Sequence, residues 1–275
     1  SILVENGNTK SKSENGILYD SDQTILYVYP NNKTEIIYQM PNTITKIQDY
    51  AIYGNNHLEY IEMSGNITTI GKKSFCGIDK VRSITVENDL TTIGEESFNG
   101  MTKLKTVVYT GERMPECGNN IFPTNELLTK VRVKTSTTFT NGEMFGNKEI
   151  SKEIIENGKN GETVRYFIDT TGNMMMYGKG AMGTATITNV NEVKNVEIDE
   201  GITTITTVMQ QFKEMITCKL PNGITTIEQE SYKECNKLTS ITIPSTVTSI
   251  GDNCFIGCSS LEMISVDSNN TNYQS

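Results

Sequence analysis

Apolar positions return along this chain at fixed stations separated by almost constant intervals. A short phrase, an aliphatic residue, two polar ones and an Ile, recurs as Ile44 to Ile47, Ile67 to Ile70, Leu90 to Ile93, Ile202 to Ile205, Ile224 to Ile227 and Val247 to Ile250. Successive copies lie 23, 23, 22 and 23 residues apart, with one long gap in the middle. Take the closing Ile as origin. Five residues on stand Ile52, Phe75, Phe98, Tyr232 and Phe255; eleven on stand Leu58, Val81, Leu104, Ile216, Leu238 and Leu261; fourteen on stand Ile61, Ile84, Val107, Ile241 and Ile264. A further station two residues later holds Met63, Val86, Tyr109, Leu220, Ile243 and Val266. The copy at Ile205 is irregular: Gln210 takes the aromatic place with Phe212 nearby, and Cys218 replaces an Ile. Such a period marks a solenoid, in which each coil hides its apolar side only by stacking on the next.

The last part of each repeat, Leu-x-x-Ile-x-Ile, sends alternate residues to opposite sides and so reads as a strand. The Ile-Thr-Thr-Ile phrase reads as a second short extended segment. Gly71, Gly94 and Gly251, which follow it, are expected to permit a turn that a side chain would obstruct. Stacked at about 4.8 Å, the coils predict a mostly β solenoid with a parallel strand face. Two β-hairpin inserts break the rhythm. One joins Ile17 to Tyr19 with Ile25 to Tyr29, followed by a repeat strand at Ile36 to Met40; the other joins the runs VRYFID and MMMY across residues 164–178. Thr110 to Ile150 predicts one degenerate coil with Phe122, Leu128, Val131 and Val133 as its core. A boundary is expected near Ser151, dividing the chain into blocks 1–150 and 151–275, with the polar stretch Glu156 to Glu162 as a loop beside it.

Composition narrows the partners. The 275 residues carry 33 Asp plus Glu against 24 Lys plus Arg, a net charge of −9. That balance argues against nucleic acid or anionic lipid as the main partner, since both need a basic footprint. No run approaches 18 consecutive apolar residues, so no membrane insertion by this chain is expected. The start, SILVENGNTK, has neither an initiator Met nor a signal-peptide pattern. The repeat unit both opens and closes the chain, which reads as a segment of a longer array. Asn32, Asn66 and Asn269 stand in Asn-X-Thr triplets that could carry glycans in a secreted protein.

The run LTSITIPSTVTSIGDNCFIGCSSLEMISV (Leu238 to Val266) resembles the BspA-like leucine-rich repeat, whose consensus is Leu-x-x-Ile-x-Ile-Pro-x-x-Val-x-x-Ile-Gly-x-x-Ala-Phe-x-x-Cys. Asn15 to Pro30 resembles that family's hairpin insert, and Asp169 to Met182 the strand-turn-strand that often opens its repeat blocks. Thr110 to Ile150 and Thr206 to Met215 depart from the pattern. The resemblance implies a cell-surface or secreted location, host or matrix proteins as partners, and adhesion or antigen roles; it brings no catalytic residues to carry over, and no enzymatic activity, cofactor or metal is expected.

Candidate chemistry within the chain is sparse. Cys218, Cys235, Cys254 and Cys258 fall at core stations, where a thiol serves as a small hydrophobe, and Cys254-x3-Cys258 lacks the second pair or His that zinc requires. Cys235 and Cys258 lie on adjacent coils, where a disulfide is conceivable and free thiols are expected; Cys117, in the irregular segment, could be exposed. The sole histidine, His57, occupies a polar column, which disfavours a nucleophilic triad. Glu95, Glu96 and Asp252 line a solvated edge, since a glycosidase pair would need a cleft. What remains is the outward column of the strand face: Glu62, Thr85, Val108, Arg132, Glu197, Lys219, Thr242 and Ser265. Tyr60, Ser83, Thr106, Asn195, Ser240 and Met263 stand one pleat earlier. This is the expected partner-binding face, and reversing the charges at Glu62, Arg132, Glu197 and Lys219 is expected to abolish binding without lowering the melting temperature. The alternatives are a structural spacer, a carbohydrate-binding or carbohydrate-active protein, and an intracellular scaffold.

Overall fold

A computed structural model describes residues 1–124 and 126–274. Contacts divide the chain into two compact units, Ser1–Glu153 and Ile154–Ser275. Each is a stack of short-stranded coils with a continuous apolar interior.

In the first unit the strand predicted from Leu-x-x-Ile-x-Ile forms at Ser83–Val86, Thr106–Tyr109 and Lys130–Lys134, all parallel, with Ile84, Val107 and Val131 side by side. Ile37–Gln39 pairs in the same sense with Tyr60–Glu62. The Ile-Thr-Thr-Ile phrase makes a second parallel ladder through Lys46–Ile47, Thr69–Ile70, Thr92–Ile93 and Glu116–Cys117. The degenerate coil therefore keeps register, and Phe122, Leu128, Val131 and Val133 are buried as expected. Leu58, Val81 and Leu104 are each fully buried. Phe98 stacks between Phe75 and Phe122, with ring centroids 5.1 and 5.6 Å away.

A third side, without strands, is also laddered. There Ile52 N, Phe75 N and Phe98 N donate to the carbonyls of Ser74, Ser97 and Ile121, each at 2.8 Å. These bonds run forward, to the next coil. On the strand sides the bonds run both ways: Thr68 N donates back to Thr45 O at 2.8 Å, and Met40 N donates forward to Glu62 O at 3.0 Å. Interior coils thus satisfy their backbone groups through both neighbours.

The turn between the second and third sides differs from expectation. Gly71, Gly94 and Gly251 are not in the left-handed region. A Cβ on each would lie 2.5, 2.3 and 2.3 Å from the backbone N of Asp49, Lys72 and Gln229 on the preceding coil. Glycine is required by close approach of coils, not by turn geometry. The left-handed residue comes two positions later, at Tyr50, Lys73, Glu96, Asn120, Glu230 and Asn253, with φ of 50–60°. Each costs about 1–2 kcal/mol, offset by the ladder that the turn allows.

The first hairpin joins Ile17–Asp20 to Ile25–Val28, with Leu18 opposite Val28. Asp20 fixes its turn by accepting from Thr24 N and Ile25 N, both at 2.7 Å. A strand the sequence did not reveal, Ser11–Glu14, pairs antiparallel with Ile17–Asp20.

The second unit opens on the predicted hairpin, Val164–Asp169 with Asn173–Gly178. The stretch expected as a loop is mostly strand: Lys148–Lys159 is one twelve-residue strand, and its end pairs antiparallel with Val164–Asp169. Its Asn and Gly read as turn residues. Gly158, however, serves close packing, since a Cβ there would sit 3.0 Å from the Tyr166 ring. Four further strands follow Asn173–Gly178 in parallel: Asn195–Ile198, Thr217–Lys219, Ser240–Ile243 and Met263–Val266. Gly180–Ala181, Ile202–Ile205, Thr226–Ile227 and Ser249–Ile250 build the second ladder. In the irregular coil, one turn of 3-10 helix, Thr207–Gln211, buries Val208 and Met209, and Phe212 beside it is fully buried. Three apolar side chains there replace one aromatic ring.

Candidate functional site

The residues expected to form a binding face divide sharply by environment. In the first unit Tyr60, Glu62, Ser83, Thr85 and Val108 are all buried, Val108 completely. Register sets Thr85, Val108 and Arg132 side by side. The Tyr60 hydroxyl donates to the Glu62 carboxylate. Arg132 is half-buried, with Nε 2.6 Å from Glu153, which also takes Lys130 Nζ at 2.5 Å. Spacing specifies which side of a strand a residue takes, and not whether that side is wet. Charge reversal at Glu62 or Arg132 would therefore disturb folding, so those two positions cannot serve in a test of binding alone.

In the second unit Glu197, Lys219 and Thr242 are exposed and Ser265 is half-buried. Glu197 pairs with Lys219 across the ladder, and Thr242 with Ser265. One pleat earlier a polar chain crosses three strands. Asn195 Nδ2 donates to Asn173 Oδ1 at 3.0 Å, and Thr217 Oγ1 donates to Asn195 Oδ1 at 2.7 Å. Ser240 and Met263 continue this column, both exposed. The underlying stations, Met174, Val196, Cys218 and Ile241, are buried, so the face sits on a fixed floor.

Other reactive groups are spent on structure. Cys235 Sγ donates to Met209 O at 3.3 Å and Cys258 Sγ to Tyr232 O at 3.0 Å, each on the preceding coil. All six cysteines are free thiols, and Cys117, in a short strand, is half-buried. Burial pushes the Cys218 thiol up to about 12, against a smaller opposing effect of its contact with the Tyr232 hydroxyl. Glu156 would be raised by burial, yet hydrogen bonds from Thr188 N, Asn189 N, Tyr166 Oη and Asn189 Nδ2 outweigh that and lower it. This carboxylate is a latch between the opening hairpin and the chain at Thr188, and nothing in the sequence marked it. Glu95 and Glu96 pair with Lys72 and Lys73 on the preceding coil, at 2.5 and 3.2 Å. His57 is half-buried, and its backbone N–H donates to Asn55 Oδ1 at 2.9 Å. Among the described residues no cluster of three metal-ligating side chains is present, and no helix is long and apolar enough to cross a membrane.

No curated protein matches the chain. Among solved structures, a leucine-rich repeat protein from Eubacterium ventriosum is 20% identical over 94% of this chain and 52% of its own, with a TM-score of 0.44. The pneumococcal vaccine antigen PcpA is 18% identical over 56% of this chain and 50% of its own, with a TM-score of 0.38. A leucine-rich cell surface protein from Faecalibacterium prausnitzii is 14% identical over 96% of each chain, with a TM-score of 0.30. The chain spans about half the length of the first two. The BspA type leucine rich repeat region matches in six copies, over residues 27–160 and 181–275. Those limits enclose most of the coils described above, including the degenerate and the irregular ones, and the chain belongs to the BspA-type leucine-rich repeat family.

Proposed function

We propose that this chain is a recognition module of a cell-surface or secreted protein, binding host-cell or matrix proteins through the strand face of its second unit. One observation carries the reading: a parallel ladder holds exposed Glu197, Lys219, Thr242, Thr217 and Ser240 in fixed register over a buried floor. A backbone already fixed in position costs little further order on binding, so modest polar contacts can add up. No aromatic anchor marks the face, so affinity is expected to spread over many positions. The exposed Asn32, Asn66 and Asn269 triplets and the family's resemblance to surface proteins support the location.

The test is capture of solubilised host surface proteins and purified matrix proteins on the immobilised chain. The comparison is a variant carrying Glu197→Lys, Lys219→Glu and Thr242→Arg. The parent is expected to retain partners that the variant loses, with both melting alike. Equal capture by both would move the site elsewhere, and no capture by either would favour a spacer, a role that the coil-to-coil ladders also suit.

A further inference from the structure

The first hairpin, the residues just before it and the repeat strand after it border a half-open cavity of about 270 Å³. Tyr19, Tyr29 and Tyr38 are among its lining residues, each almost wholly buried, so they form its floor more than its walls. Tyr29 and Tyr38 lie with centroids 4.7 Å apart. The hydroxyls of Tyr19 and Tyr38 stand 3.1 Å from one another. Two phenols joined in this way use one of their two hydrogens, so one O–H is left to donate. Glu14 and Glu35, both exposed, stand at the rim with Gln23 and Gln39.

The charge arrangement discriminates among ligand classes. A cage of tyrosines with carboxylates would suit a cation, yet a cation is already seated. Lys33 Nζ lies 5.8 Å over the Tyr29 ring, 2.7 Å from Glu35 Oε1, and donates to Asn15 O at 2.8 Å. An anion would meet Glu14 and Glu35. What the cavity offers is a phenolic donor with amide and carboxylate acceptors, and little open ring surface. A pyranose matches it, with hydroxyls that both donate and accept. Pockets for drug-sized ligands run from about 300 to 1,000 Å³, so this one admits a single ring.

We propose that this tyrosine-lined cavity binds one pyranose unit of a glycan, at a site separate from the strand face.

The test uses the whole chain with D-galactose, N-acetyl-D-glucosamine and methyl α-D-mannopyranoside, read by saturation-transfer NMR and calorimetry, with tetramethylammonium as the cationic comparison. At least one sugar is expected to bind at about millimolar affinity, typical of a single small contact set. The double variant Tyr19→Phe/Tyr38→Phe removes both members of the hydroxyl pair, and Gln23, which also bonds Tyr19, keeps its bond to Glu14 Oε2. Binding should weaken about tenfold, the loss of roughly one good hydrogen bond. Glu14→Ala, at an exposed position, gives a second variant should the first fail to fold, and it should also weaken binding. Glu197→Lys/Lys219→Glu should bind as the parent does. The proposal is overturned if none of the sugars binds the folded chain, if Glu14→Ala and the double Phe variant bind as well as the parent, or if tetramethylammonium displaces the sugar.

Discussion

The two units carry the same coil and turn opposite characters outward. On the strand face of the first stand Tyr60, Ser83, Thr85 and Val108, small or apolar and buried. At equivalent stations of the second stand Glu197, Lys219 and Thr242, charged or polar and exposed. Inward stations divide less: Ile84, Val107, Val196 and Ile241 are all buried, while Ile264 on the last coil is exposed and Ile216 yields its expected core place to the buried Met215. Repetition therefore dictates the interior and leaves the exterior free to differ. Glu62 is the one carboxylate in the buried column, and it receives the Tyr60 hydroxyl.

The contrast can be broken most forcefully at Val108. Val108→Lys places an unpaired charge at a site without exposure and should cost about 4 kcal/mol or more, while Thr242→Lys should stay within about 0.5 kcal/mol. Urea titration of both variants measures the difference; similar midpoints would show that the two faces are alike. The shared interior is tested by Gly94→Ala and Gly251→Ala, one in each unit, whose Cβ atoms meet backbone at the same 2.3 Å. Each should lose about 1–3 kcal/mol, and a large loss in only one unit would mean that the coils are not equivalent.

Glu156 has no counterpart in the first unit. Its carboxyl is held below its ordinary value of 4.5 in the fold. The stability it confers is complete above that value and is lost as pH falls through the lower folded one. Glu156→Gln should therefore cost about 1–3 kcal/mol at neutral pH and less below pH 4, seen as converging melting curves. The smallest effect is at a buried serine station. Ser97 Oγ has no hydrogen-bond partner, whereas Ser231 Oγ donates to Glu228 O at 2.6 Å. Ser97→Ala should gain up to about 1 kcal/mol and Ser231→Ala lose about as much, a reversal of sign that thermal melts resolve.

Much of the interior was legible because apolar spacing reports it directly: Phe75, Phe98 and Phe122 stack as their common station required. Even the degenerate coil could be placed, since Leu128, Val131 and Val133 kept the strand pattern. Backbone detail was not legible. Lys73 and Glu96 adopt left-handed conformations that their side chains do not announce, and Gly94 is small for the sake of its neighbour. Gly158 misled for the same reason, reading as a loop residue while making room for Tyr166. The outward face was legible as a column but not as a wet or dry one. The tyrosine-lined cavity lies between a hairpin and a repeat strand, a meeting of segments that periodicity does not describe.

Hydrogen bonds that tie each coil to the one before and the one after, on all three sides, have a consequence for how such a protein can change length. Adding or removing one entire coil closes every donor and acceptor again, because each new unit brings the complement of what it takes. Shifting by a few residues leaves unmatched groups on all three sides at once. Growth and loss in this lineage are thus expected in steps of about one period, with shorter insertions confined to places, such as the two hairpins, where the chain steps outside the ladders.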